Sequence, residues 1–241
     1  MPPSRGQDGN AAKGFGSKEI IYQMKDKIKY VAKAHIRYKT SDGKIVPGAT
    51  TITGLLNKPY LVKWANNLGL EGIDSSKYTD EAAAIGTLAH AMIQADLQGL
   101  EIDKSQYSPL QIDLAENALL SYFEWKSHHK IEPIHCEVPF VSDRMKYGGT
   151  VDCYCVLDGK PTLLDFKTSK AIYPEFFVQL AAYAELLRES GLEVSETRIL
   201  RVGRDATEGF EERSVADTRK WFDIFRNLLN VYYLKKELQW Q

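Results

Sequence analysis

The chain has little cysteine: three residues, Cys136, Cys153 and Cys155, among 241. A small, odd number is no disulfide framework. With no histidine clustered beside them, the three thiols also make a poor zinc or iron–sulfur site. No apolar run approaches the roughly 20 residues of a membrane span. The N-terminus lacks the apolar core of a signal peptide. Together these absences point to a reducing, cytoplasmic-type compartment and no membrane. Charge of one sign is not in excess either, with Lys+Arg 31 against Asp+Glu 32 and a formal net charge of -1. That balance gives no sign of a nucleic-acid partner, but binding depends on local patches, which a sum does not report.

No internal repeat is visible. The first 19 residues, MPPSRGQDGNAAKGFGSKE, are small, polar and Gly-rich, and are expected to be a disordered tail. Residues 20–241 then read as a single domain, with a core at about 80–215. A hydrophobic fraction of 44% and a charged fraction of 26% are those of a globular protein, and the length allows a sizeable core.

Residues 28–50 have the pattern of a hairpin turning at Ser41–Lys44. Short helices follow over 51–69, with Leu61, Trp64, Ala65 and Leu68 on one face. A longer helix is expected from an N-cap at Asp80 to a stop at Gly99, and another from Pro109. Strands are expected over 134–142, 147–157 and 161–169. Pro174 opens a helix that Gly191 ends. A fourth strand covers 196–203, with a further candidate at 209–215, and 216–238 is an amphipathic helix. From Pro109 to Gly203 the order is therefore α-β-β-β-α-β.

The stretch DCYCVLDGKPTLLDFKTS, residues 152–169, carries the chemistry. Asp158-Gly159 is a favoured two-residue type I′ turn. With that turn, Asp152 falls directly opposite Asp165, at a Cβ spacing of about 4.5–5.5 Å. Lys167 projects from the same face as Asp165. A bulge at Pro161 would shift this register. The other face carries Val151, Cys153, Cys155, Leu164 and Phe166 and belongs in the core, where the two thiols are inert. Opposed like charges destabilise a sheet, and a cation removes that cost. Two carboxylates with the backbone carbonyl of Phe166 between Asp165 and Lys167 form a hard oxygen site suited to Mg²⁺ or Mn²⁺. Carboxylates, metal and lysine together fit phosphodiester hydrolysis. A solvated hairpin face with an Asp–Lys ion pair is the competing reading.

Four pieces in order extend the pattern: Gly86-Thr-Leu-Ala-His90, Asp152, Asp165-Phe-Lys167-Thr168, and Gln179 with Tyr183 four residues on. They resemble the RecB/Cas4-like branch of the PD-(D/E)XK nucleases, over roughly Thr51 to Gly203. The segment 46–69 also resembles phage-type or mitochondrial-type exonucleases of that branch. The resemblance implies a restriction-endonuclease-like α/β fold, a central mixed sheet flanked by helices. It implies Asp152, Asp165 and the Phe166 carbonyl as metal ligands, His90 as a further metal ligand or a contact to the scissile phosphate, and Lys167 positioning or activating the attacking water. It implies Gln179, Tyr183 and Thr168 along the DNA strand. Independently, Gln179 and Tyr183 are i, i+4 on one helix and share a face. His90 also lies beside the apolar stripe of Ile85, Leu88, Ala89, Met92 and Ile93, where a histidine is commonly a core residue.

The chain departs from the pattern in two places. Many relatives carry a glutamate one turn after the histidine. Here that position is Gln94, and Asp96 is off the face. Glu137, on the first strand, is an additional candidate acid or a solvated strand residue. Members with an iron–sulfur cluster carry four cysteines, so no cluster is expected. Basic residues interleaved with tyrosines (Lys25, Lys27, Lys29, Lys33, Arg37, Lys39 and Lys44 with Tyr22, Tyr30 and Tyr38) suit single-stranded nucleic acid. Arg198, Arg201 and Arg204 form a second basic group. Any one of these residues is equally an ordinary surface charge or core ring. The expectation is a metal-dependent deoxyribonuclease. An exonuclease preferring single strands or free ends stands first, with a structure-selective endonuclease and a catalytically silent DNA-binding subunit as alternatives. The resemblance suggests recombination, repair or phage DNA processing, in the cytoplasm of the cell or of a phage's host. A recombination or single-strand-binding protein is the partner it suggests.

Overall fold

The computed structural model describes residues 29–30 and 36–240. The expected tail at 1–19 and much of the N-terminal basic stretch lie outside them. The elements run β1 (Lys29–Tyr30), α1 (Ala49–Thr53), α2 (Pro59–Leu70), α3 (Ser75–Gln98), β2 (Glu101–Ile102) and α4 (Pro109–Lys126). They continue β3 (Ile131–Ser142), β4 (Tyr147–Leu157), β5 (Lys160–Lys167), α5 (Pro174–Glu189), β6 (Glu196–Val202), β7 (Phe210–Val215) and α6 (Arg219–Glu237). The expected α-β-β-β-α-β order is present.

The five strands β3 to β7 form one sheet in chain order. Every neighbouring pair is antiparallel except β5 and β6, which are parallel. The parallel step requires a crossover, and α5 supplies it. Helices cover both faces. Leu163 packs with α1, α5 and α6, through residues such as Ile52, Val178, Leu186 and Phe225. Its neighbour Leu164 packs with α3 and α4, through Leu88, Ile93, Tyr122 and Trp125. The fold is thus a mixed α/β layer structure with a restriction-endonuclease-like arrangement of its core elements.

The turn that sets the site behaves as its residues dictate. Asp158 and Gly159 have φ of 50° and 82°, as a type I′ turn requires. The ladder runs from Leu157↔Lys160 to Cys153↔Leu164 without a slip, and Pro161 pairs with Val156. Counted from the turn, Pro161 falls on a rung that exchanges no hydrogen bonds with β4, so its missing N–H does not disturb the ladder.

Four expectations are corrected. The long α3 is capped by Asp74, whose carboxylate accepts from the Ser76 and Lys77 amides, rather than by Asp80. The intervening polar turn has no apolar periodicity, and a capping carboxylate decides its conformation. The N-terminal hairpin shrinks to a tight turn around 40–44, closed by a Lys39↔Ile45 bridge. Lys29–Tyr30 instead pair in parallel with Glu101–Ile102, and residues 49–53 are helical. Of the expected apolar face of α2, Trp64, Ala65 and Leu68 are half-buried, while Leu61 is exposed. Val151 packs with Tyr147 in the α5/α6 cluster, not with Cys153 and Cys155. The alternation of β4 therefore changes phase at Asp152. There the β3–β4 ladder skips the rung between Cys136↔Cys153 and Val138↔Val151, and Glu137 opposite has φ 56°.

The hydrogen bond from His129 and then the Lys130 backbone N–H hold the Asp158 carboxyl below the usual carboxylate range. Asp158→Asn keeps a turn pair that tolerates positive φ. It should lower stability at pH 7 by well under about 1 kcal/mol, because the pair is near the surface. A depressed folded pKa contributes stability above the unfolded carboxyl pKa, near about 4, and loses it as pH falls through the folded value. The gap between the proteins should therefore close in acid, as urea melts across pH will show.

Candidate functional site

The site lies where β4 and β5 part. Beyond Cys153↔Leu164 the ladder stops. The Phe166 amide, which the next hydrogen-bonded rung would use, donates to Asp152 Oδ2 at 2.9 Å. Asp152 and Asp165 occupy the opened rung, as the turn register requires.

Asp165 is only 1% exposed, although it is a carboxylate. Lys167 Nζ lies 2.5 Å from its Oδ2 as an ion pair. The other oxygen, Oδ1, is buried and has no hydrogen-bond partner among the described residues. Buried polar atoms without partners are few in native proteins and call for an explanation. Burial raises the Asp165 pKa to about 6, against the pull of Lys167 and with the push of Asp152. Burial likewise raises Asp152, against Lys167 and the Phe166 amide. Burial acts to lower Lys167, but the Asp165 and Asp152 carboxylates outweigh it and hold the group as an ammonium.

His90 comes from α3, with Nδ1 3.7 Å from Asp152 Oδ2. Burial first and then Lys167 push its pKa down to about 4, with Asp165 and a hydrogen bond to the Phe166 backbone acting the other way. The ring is therefore neutral near pH 7 and has a lone pair to give. His90, Glu137 and Asp152 each offer a ligand atom within 4.8 Å of the others. Glu137, an additional candidate in sequence, thus stands beside Asp152. Asp165 is not one of that trio; its charge is felt at the site, and Lys167 holds it. Two hard carboxylates and an imidazole suit Mn²⁺ or Mg²⁺, and the unpartnered Oδ1 of Asp165 fits a cation as well.

Local sequence explains the approach of the parts. A Cβ on Gly86 would come within 2.9 Å of Thr168 Oγ1, so α3 meets the end of β5 only with glycine there. Gln94 is fully buried, and its Nε2 donates to the Asp152 carbonyl at 2.8 Å. The Gln94 amide thus grips the backbone of Asp152. Asp96 accepts from Tyr122 and Lys126 at 2.9 and 2.6 Å, a structural tie away from the site. On α5, Gln179 Nε2 donates to Tyr183 Oη at 2.7 Å. Burial and then the charges of Asp165 and Asp152 push the Tyr183 pKa well up.

The three arginines are placed differently. Arg198 is bound by Glu212 and Glu196 at 2.7 and 3.0 Å, in the group that includes His129 and the Asp158 turn, at the far end of the hairpin. Arg201 pairs with Lys167 across β5 and β6, but is buried and donates to the Glu208 carbonyl. Arg204 reaches the Ala82 carbonyl of α3 and lines a cavity of about 260 Å³ with Tyr78, Glu81 and Ile85. Of the N-terminal tyrosines, Tyr38 is half-buried and bonds Thr150 Oγ1 at 3.0 Å; Tyr22 lies outside the described residues. Sequence reasoning missed a chain of rings from Phe176 to Tyr60, which no local pattern announces.

No family model matches the sequence, and no curated protein matches it. Among solved structures, similar chains include SSO0001, with TM-score 0.35 and 11% identity, covering 89% of this chain and 83% of that one. An alkaline exonuclease (LHK-Exo) from Laribacter hongkongensis gives TM-score 0.31 at 12% identity, covering 63% of this chain and 83% of that one. LHK-Exo in complex with dAMP gives 0.36 at 10%, with the same coverages. TM-scores this low do not establish a shared fold.

Mn²⁺ should raise the unfolding free energy of the wild type, by about 2.7 kcal/mol at a hundredfold excess over its Kd. Asp152→Asn and Glu137→Gln should each abolish most of that rise. Gln94→Met should reduce Mn²⁺ affinity by about tenfold, through its grip on the Asp152 backbone. Calorimetric titration with thermal melts measures all three.

Proposed function

We propose that the protein is a divalent-metal-dependent deoxyribonuclease, and that it acts as an exonuclease on single-stranded DNA with free ends. The observation that supports this most is the buried Asp165, with Oδ2 held by Lys167 at 2.5 Å and Oδ1 unpartnered among the described residues, beside the trio of His90, Glu137 and Asp152. A buried carboxylate cluster of this kind is costly unless a cation shares it. The solvated-face reading of the hairpin does not account for a carboxylate that is 1% exposed.

His90, Glu137, Asp152 and Asp165 would hold the cation. When bound, a divalent cation makes water nucleophilic near neutral pH and offsets charge on the phosphoryl oxygens. Lys167 is an ammonium and takes no proton from water. It donates hydrogen bonds, orienting the attacking water in line with phosphorus and meeting charge that grows on a phosphate oxygen. Its Nζ lies over the Phe176 ring, 5.1 Å from the ring centre, which limits its swing. Gln94 and the Phe166 amide hold the backbone and side chain of Asp152 in place. Gln179, half-buried, would face the strand's approach, while Tyr183 is 4% exposed and steadies the Gln179 amide from beneath instead of touching DNA.

Linear single-stranded DNA should be degraded with Mg²⁺ or Mn²⁺ and spared with EDTA, while a circular form survives. Cleavage of circles would mark an endonuclease instead. Binding without any metal-dependent cleavage would mark a silent DNA-binding subunit. Asp165→Ala or Asp152→Ala should slow turnover by roughly 10²-fold or more, about 2.7 kcal/mol of barrier. Lys167→Ala should lower kcat far more than DNA affinity.

A further inference from the structure

Lys167 sits at the inner end of a chain of aromatic rings. Its Nζ lies over Phe176, 5.1 Å from the ring centre. Phe176 meets Tyr173 edge-on at 5.6 Å. Tyr173 stacks with Tyr60 of α2 at 5.8 Å, with 10° between the planes. Trp64, one turn further along α2, meets Tyr78 of α3 at 5.7 Å. The chain thus leads from the candidate catalytic lysine to the protein surface.

Two further features bear on what the outer end could meet. No residue of α2 is buried, and Tyr60 is 45% exposed although it belongs to a stack. A ring that served only to fasten α2 would gain more from being covered. The surface is also locally basic in a chain whose net charge is -1: residues 55–70 contain Lys58 and Lys63 and no acid, and residues 167–173 contain Lys167 and Lys170 and no acid. The nearby acid Glu175 is taken up by Lys58 at 2.9 Å and by the Tyr60 hydroxyl at 2.9 Å. That hydroxyl bond fixes the attitude of the ring while leaving a face open. Lys58 and Lys167 are paired with Glu175 and Asp165, and Lys63 and Lys170 add further positive charge about the rings. Exposed rings among cations are the elements with which single strands are held irrespective of sequence, since every base has a π-face and every phosphate a charge.

We propose that Tyr60, backed by Tyr173, is a stacking platform for a nucleobase of a single strand whose scissile phosphate lies at Lys167. This inference rests on the nuclease reading above and names the part of the substrate that its site grips. The contact is to a base face, so it carries no sequence preference. It fixes the strand at one distance from the reacting phosphate.

The test uses the full chain with fluorescein-labelled single-stranded oligonucleotides in Ca²⁺, read by anisotropy, and parallel cleavage assays in Mg²⁺. One abasic residue is stepped along the strand. The wild type should lose affinity at one narrow window of positions, by about 5- to 100-fold, and tolerate the others. Tyr60→Phe should keep that window. Tyr60→Ala should bind intact DNA more weakly by a similar factor and become indifferent to the abasic position there. Lys58→Ala, which loosens α2 without removing the ring, should keep the window. Uniform tolerance of abasic positions by the wild type would overturn the platform. So would equal losses in Tyr60→Ala and Lys58→Ala with no positional dependence, which would make Tyr60 a fastening for α2. Cleavage without a window defeats the platform alone. A window without metal-dependent cleavage defeats the nuclease reading and leaves the platform standing. Absence of any binding defeats both.

Discussion

A buried carboxylate beside a half-buried ammonium is the constraint around which the rest of the molecule is arranged. Asp165 and Lys167 lie on one strand, two residues apart, with helices over both faces of the sheet. Neither charge would remain ionised alone in that interior, and each holds the other in its charged form. Asp152, across the opened rung, adds a second negative charge to the same small volume. The ladder must part there, because a closed rung would need the Phe166 amide that now serves the Asp152 side chain. Strand divergence, the phase change in β4 and the positive φ of Glu137 are one local disturbance, and the charges sit at its centre. Strain and like-charge crowding of this kind are found where structure has been fitted to chemistry rather than to stability.

What could be read in advance depended on how local the determining interaction was. Asp158-Gly159 alone sets the hairpin register, because a two-residue turn leaves the strands no freedom. The pairing of Gln179 with Tyr183 follows from helical spacing. The order of helices and strands from Pro109 onward follows from hydrophobic period and from prolines and glycines at element ends. Each of these needs no knowledge of distant residues.

The remainder was hidden for a common reason. Asp74 rather than Asp80 caps α3 because an amide pair happens to lie within its reach. Glu137 stands opposite Asp152 through the β3–β4 register that follows the irregularity at Pro133 and His135, which the sequence of β3 alone does not announce. Arg198 resembles a DNA contact until β7 brings Glu212 to it. The stack of Tyr60 on Tyr173 joins residues more than a hundred positions apart. In the same way Val151 was placed with the thiols by simple alternation, which holds only while a strand keeps one phase.

Gln94 has a consequence for the charge state of the site. Burial already pushes the Asp152 and Asp165 carboxyls toward their neutral forms. A glutamate at position 94, fully buried against the Asp152 carbonyl, would bring a further negative charge beside them and no donor for that carbonyl. The primary carboxamide instead acts as a dipolar spacer, holding the Asp152 backbone where a carboxylate would overcharge the cavity.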